Sequence, residues 1–160
     1  MSLASLPVLR EERYFEDYVE GAVYEFTDNT SVSEADIIRF AKEFDPQYFH
    51  LDPEAAKNSI YQGLIASGGH TLAMTFRLRN QNFLPGKASL GSPGLDELRW
   101  FKPLRPGDML RVRVSILSAT PSRSKNDRGT IISLVETINQ KDEVIMSYKA
   151  INIMLKRKLG

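Results

Sequence analysis

The hydropathy pattern of this chain changes period at Pro85–Gly86, and that change restricts the fold more than any other feature. Before it, apolar residues recur at helical spacing in two stretches. After it, they alternate with polar residues, as in half-buried strands. In the first stretch, Ser33 is suited to cap a helix. Asp36 follows three residues on, as in a capping box, and Val32 and Ile37 are placed to form a hydrophobic staple. Ile37, Phe40, Ala41 and Phe44 then share one helical face. Asp45–Pro46 should end the helix, because proline pushes the residue before it out of the α region. A short strand, Ala22 to Thr27, precedes it. Residues 46–52 read as a loop, and Pro53 to Lys57 as a short helix capped by Asp52, with proline at its first position.

Leu64 to Leu78 reads as a second long helix, apolar on nearly all faces and therefore buried on most sides. Ala66, Ser67, Gly68 and Gly69 let another backbone approach closely. Close packing would offset the roughly 1 kcal/mol that each helical glycine costs relative to alanine. The second half predicts strands at Leu95 to Phe101, Leu110 to Ile116, Thr130 to Ile138 and Val144 to Leu155. A Pro- and Gly-rich turn at 103–108, a polar loop at 122–129 and a tight turn at 140–143 separate the last three. One strand, helices, then four strands in a meander is an α+β plan: one antiparallel sheet wrapped around a central helix, a hotdog architecture.

The 160 residues suit a single domain, with 1–12 as a loose leader and 156–160 as a frayed basic tail. The chain has no cysteine, which excludes disulfides, a thiolate nucleophile and Cys-based metal sites. A net charge of +1 gives no case for nucleic-acid binding. No apolar run approaches a membrane span, and Met1 to Leu9 lacks the pattern of a signal peptide. The expected compartment is the cytoplasm.

The chain has two histidines, His50 and His70. His50 follows Asp45 by five residues, both near the end of a capped helix. Histidine titrates near neutral pH and a carboxylate can orient or deprotonate water, so the pair suits acid–base work. The alternative is an Asx-turn at Asp45 and a satisfied loop histidine. Gly63, placed at the start of the buried helix, would offer its N–H to a developing oxyanion, or it is only a turn residue. His70, within the helix, reads as a hydrogen-bonded core histidine. Arg111, Arg113, Arg123, Lys125 and Arg128 can meet phosphates, although each alone reads as part of a solvated face.

The stretch Phe40-Ala-Lys-Glu-Phe-Asp-Pro-Gln-Tyr-Phe-His-Leu-Asp-Pro-Glu-Ala-Ala resembles the hydratase motif of MaoC-like dehydratases and (R)-specific enoyl-CoA hydratases. Asp45, His50 and Asp52 match it in identity and spacing. The block from Gly63 to Ser67, the turn from Phe101 to Leu110 and the opening from Arg13 to Gly21 resemble further family blocks in the right order. The resemblance spans about residues 13–155.

It implies a hotdog fold and a homodimer with the site at the subunit interface. It also implies addition or removal of water across the 2,3 double bond of an enoyl thioester. Asp45 and His50 would be the acid–base pair and the Gly63 N–H the oxyanion donor. No cofactor is implied; coenzyme A is the substrate's carrier. Gln47 and Tyr48 replace the motif's Asn and Pro, which bears on the loop's shape and the acyl chain it admits. Thr71, or alternatively Ser67, stands where relatives carry a supporting polar residue. Thioester hydrolysis and a non-catalytic acyl-CoA-binding or partner subunit are the competing functions. The absence of Asp and Glu from Leu64 to Leu78 argues against the former, and the Asp45/His50 pair against the latter.

Overall fold

The computed structural model describes residues 13–84 and 86–158, without the side chains of 28–30. The expected leader and the last two residues lie outside the described set. A short 3-10 turn, Phe15–Asp17, precedes β1 (Val23–Ser31). Then come α1 (Glu34–Phe44), α2 (Tyr48–Leu51), α3 (Pro53–Ala56), α4 (Gly68–Asn82), β2 (Gly94–Trp100), β3 (Met109–Pro121), β4 (Arg128–Ile138) and β5 (Val144–Leu155).

The strands form one antiparallel sheet in the order β1-β3-β4-β5-β2. The meander expectation holds for β3, β4 and β5 and fails for β2, which pairs with β5 at the far edge. The edge of β3 that β2 would have joined is taken by β1. Alternation does its expected work in the centre: Val112, Val114, Ile116, Ile131, Val135, Ile145, Tyr148 and Met154 are buried. With α4 against them, they give the α+β hotdog arrangement that the period change predicts. No helix among the described residues is long and apolar enough to cross a membrane.

Helix α1 begins as expected: the Ser33 Oγ accepts the Asp36 N–H at 3.0 Å, and Val32 and Ile37 are buried. Helix α3 is capped by Asp52, whose Oδ1 accepts the N–H groups of Glu54 and Ala55. Helix α4, however, starts at Gly68 rather than Leu64. The backbone before it has other partners: the Ile65 N–H donates to the Phe49 carbonyl at 3.1 Å and the Ala66 N–H to the Leu104 carbonyl at 2.8 Å. Ser67 then caps the helix, its Oγ accepting the Gly69 N–H. Leu64 and Ile65 are buried in the non-helical segment before α4, not on a helical face.

The buried residues of α4 are mostly polar: His70, Thr71, Thr75, Leu78 and Arg79. The all-apolar reading of this helix is therefore corrected. Thr75 reaches the sheet through a 2.7 Å contact between its hydroxyl and that of Thr137. The tail also departs from expectation. The Lys156 N–H donates to the Asp127 carbonyl, and Arg157 is held by Glu16 and Asp17.

Candidate active site

The end of α1 and the turn of α2 bring Asp45 and His50 together. Asp45 is the C-cap of α1, and its backbone N–H still bonds Ala41. His50 lies in α2 and is buried, with 4% of its surface exposed. Its Nε2 stands 3.3 Å from Asp45 Oδ2. Its Nδ1 is 2.7 Å from the Ile65 carbonyl oxygen. A carbonyl only accepts, so Nδ1 carries a proton. The non-helical segment before α4 thus fixes the tautomer of His50 and aims Nε2 at the carboxylate.

Two donors complete the carboxylate's surroundings. The Ser67 hydroxyl donates to Asp45 Oδ2 at 2.7 Å and the Gln47 amide to Oδ1 at 2.8 Å. The Ser67 bond, then that from Gln47 and the neighbouring His50, hold the Asp45 pKa below its ordinary value. Asp45 is therefore a carboxylate across the neutral range.

Both residues line a cavity of about 520 Å³, together with Gln47, Thr71, Gly68 and Gly69. Sequence reasoning placed three of these there, Asp45, His50 and Gln47, and offered Thr71 as a fourth. Ser67 acts through Asp45 and through the helix cap. Thr71 is buried, its hydroxyl 3.4 Å from the Ser67 carbonyl. Tyr48 is half exposed and packs on Phe49, outside the cavity lining.

Gly63 is a correction. It lies five residues before the helix, beside Arg105, and does not line the cavity. The helix N-terminus belongs to Gly68, the first helical residue, whose N–H has no intrahelical acceptor. The small-residue run Ala66 to Gly69 predicts the close approach of another backbone; at Gly68 the close neighbour is instead a side chain. A Cβ on Gly68 would fall 2.7 Å from Trp100, whose Nε1 donates to the Gly68 carbonyl at 3.1 Å.

Trp100, Phe101 and Lys102 also line the cavity and were not singled out from sequence. The available signal was two adjacent large aromatics at the end of a strand, one of which must face outward. Trp100 and Phe101 are 50% and 59% exposed.

His70 is buried and stacks on Phe40 at 4.6 Å. Among the described residues its Nδ1 has no hydrogen-bond partner, so the reading of a hydrogen-bonded core histidine is not met there. Burial holds its pKa below the ordinary histidine range. Arg111 pairs with Glu25 and Asp142, Arg113 with Glu136, and Arg128 with Asp127, which favours the solvated-face reading for these three. Among the described residues, no three His, Asp or Glu side chains gather as ligands for a metal ion.

The family model of the MaoC like domain matches residues 17–138. The chain is similar to the crystal structure of the MaoC-like dehydratase from Rhodospirillum rubrum, with 40% identity and a TM-score of 0.85 over 92% of this chain and 99% of that one. It is 36% identical to the uncharacterized protein YdeM of Bacillus subtilis (strain 168) over 142 residues, which is 89% of this chain and 98% of that protein. It also resembles the R-hydratase PhaJ1 from Pseudomonas aeruginosa, at 25% identity and a TM-score of 0.69, covering 91% of this chain and 86% of that one.

Proposed function

Because the chain belongs to the MaoC like domain family, we propose that it is a hydro-lyase, adding or removing water across the 2,3 double bond of an enoyl thioester carried on coenzyme A. The observation that carries this reading is the Asp45–His50 pair at 3.3 Å beside the N-terminus of α4 in one cavity. The family membership and the resemblance to a MaoC-like dehydratase and an R-hydratase support it.

In this reading Asp45 and His50 hold a water between them. On hydration they take a proton from it as its oxygen bonds to the β-carbon, and they deliver a proton to the α-carbon. Dehydration runs the same transfers backwards. As charge moves onto the thioester oxygen, the Gly68 N–H and the positive end of α4 stabilise it. Thr71 and Gln47 shape the floor of the cavity, and Trp100 and Phe101 offer an apolar wall to the acyl or carrier chain.

A second copy of the chain completes the assembly. β2 is an edge strand whose outer side meets no other strand among the described residues, and Trp100 and Phe101 at its end are exposed. Pairing of two β2 edges would cover both liabilities. Sedimentation at micromolar concentration should find a dimer. The cytoplasm is the compartment we assign.

The test is hydration of crotonyl-CoA and of a longer enoyl-CoA, followed by loss of enoyl absorbance. Turnover that disappears in Asp45→Asn supports the reading. Tight binding of acyl-CoA without turnover of any enoyl-CoA would favour a binding subunit instead.

A further inference from the structure

Arg79 sits in the last turn of α4, eleven residues and so about 16 Å along the helix from Gly68. It is 3% exposed. A guanidinium stays protonated in proteins, and burying it is costly unless an opposite charge is near. Among the described residues no carboxylate pairs with it. Its Nη2 donates to the Asn152 Oδ1, its Nη1 lies 3.3 Å from the Asn80 Oδ1, and its Cζ is 5.6 Å from the Phe83 ring centroid. Every one of these neighbours is uncharged. The Tyr148 hydroxyl lies beside the guanidinium, yet neither it nor the Arg79 Nε completes a well-formed hydrogen bond. Asp17, which acts electrostatically on nearby Tyr18, is paired with Arg157.

Arg79 and Asn152 line a cavity of about 200 Å³ between α4 and the β2–β5 edge. Asn152 is also buried, at 4% exposed. With its Oδ1 accepting from Arg79, its Nδ2 is left as a donor. Besides Gly91, the remaining lining divides in two: Asn80, Ser89 and Ser92 are polar, while Phe76, Leu84, Leu95 and Ala150 are apolar. The planar fork of a guanidinium matches a carboxylate better than it matches a spherical ion. Since a water occupies about 30 Å³ in the liquid, the cavity has room for a carboxylate of a few carbons.

We propose that this cavity binds a small carboxylate, its charged end held by Arg79 and the Asn152 amide and its hydrocarbon end packed on Leu95 and Phe76. The site is separate from the Asp45–His50 cavity and does not depend on the hydro-lyase reading. The carboxylate neutralises the buried cation and stabilises the fold by mass action.

The experiment is thermal unfolding of the full chain in sodium butyrate, sodium acetate and sodium chloride at constant ionic strength. Three proteins are compared: the parent, Arg79→Met and Asn152→Asp. A saturating rise in the parent with butyrate, on the order of 5 °C, is expected, with less from acetate and none from chloride. Asn152→Asp supplies an internal carboxylate of the same shape. It should raise the starting Tm and abolish the butyrate response, a readout that stands even if Arg79→Met does not fold. An unresponsive parent, equal shifts with chloride, or a butyrate response that survives in Asn152→Asp would overturn the proposal. So would a lower Tm in Asn152→Asp, since it would show that the guanidinium gains nothing from a negative charge.

Discussion

His50 Nδ1 meets the Ile65 carbonyl at 2.7 Å, so the segment that leads into α4 determines which nitrogen of His50 faces Asp45. The acid–base pair is therefore a product of three segments, not of the loop alone. Asp45→Asn keeps the shape and the Ser67 contact but removes the charge. It should lower turnover by about 10²–10⁴ with little change in Tm. His50→Ala should lower turnover similarly. It also leaves the buried Ile65 carbonyl without its donor, a cost of about 1–3 kcal/mol. The double variant should lose much less than the product of the single losses, because the two act as a unit. Crotonyl-CoA hydration by the three variants checks this, and near-parental rates in Asp45→Asn would sink the mechanism.

Ser67 should set the acid side of the pH profile. Its hydroxyl is the largest influence holding the Asp45 pKa down. In Ser67→Ala the carboxylate loses that donor, and the acid limb of kcat/KM should move to higher pH. The linked stability effect has a definite sign. A depressed folded-state pKa contributes stability that is fully present above the unfolded value and lost as pH falls through the folded value. Ser67→Ala should therefore narrow the gap in Tm between neutral and acidic buffer that the parent shows. It also removes the cap of α4, at about 0.5–2 kcal/mol at all pH values. Rate–pH profiles and Tm series for parent and variant separate the two effects.

The parts of this fold legible in the sequence are those with local causes. Ser33 and Asp52 cap helices because their side chains reach N–H groups two or three residues on. The alternation from Val112 to Ile116 is visible without knowing what covers it. What was illegible depends on distant partners. The start of α4 could not be placed because Ile65 and Ala66 bond to Phe49 and Leu104, remote in sequence. That displaced the helix N-terminus from Gly63 to Gly68. The place of β2 beyond β5 follows from competition with β1 for the edge of β3, a choice that no local pattern records. Trp100 belongs to the cavity only because Gly68 leaves space for its ring.

That fit between Gly68 and Trp100 is itself testable. A methyl group at 68 would meet the Trp100 ring at 2.7 Å, too close to be accommodated without movement. Half exposed, the ring can swing outward, giving up its bond to the Gly68 carbonyl. Gly68→Ala should thus fold, since the ring rather than the backbone yields. Its fluorescence should shift towards that of a solvated indole. Trp100 is the only tryptophan in the chain, so the signal is unambiguous. Unchanged emission in a folded Gly68→Ala would show that the ring does not rest on residue 68.

The hydroxyl pair between α4 and β4 should respond asymmetrically to truncation. The Thr75 hydroxyl donates to the Thr71 carbonyl at 2.8 Å, so in its 2.7 Å contact with Thr137 the proton comes from Thr137. Both side chains are fully buried. Thr137→Val removes that donor but leaves Thr75 bonded to Thr71, so its cost should stay near 1 kcal/mol or below. Thr75→Val strands the Thr137 hydroxyl in the core, which should cost about 1–3 kcal/mol. The double substitution places two isosteric methyl groups in contact and strands no hydroxyl. It should therefore be more stable than Thr75→Val alone, against the additive expectation. Urea unfolding of the four proteins in a double-mutant cycle measures this directly. If Thr137→Val proved the costlier single change, the assigned direction of the hydrogen bond would be wrong.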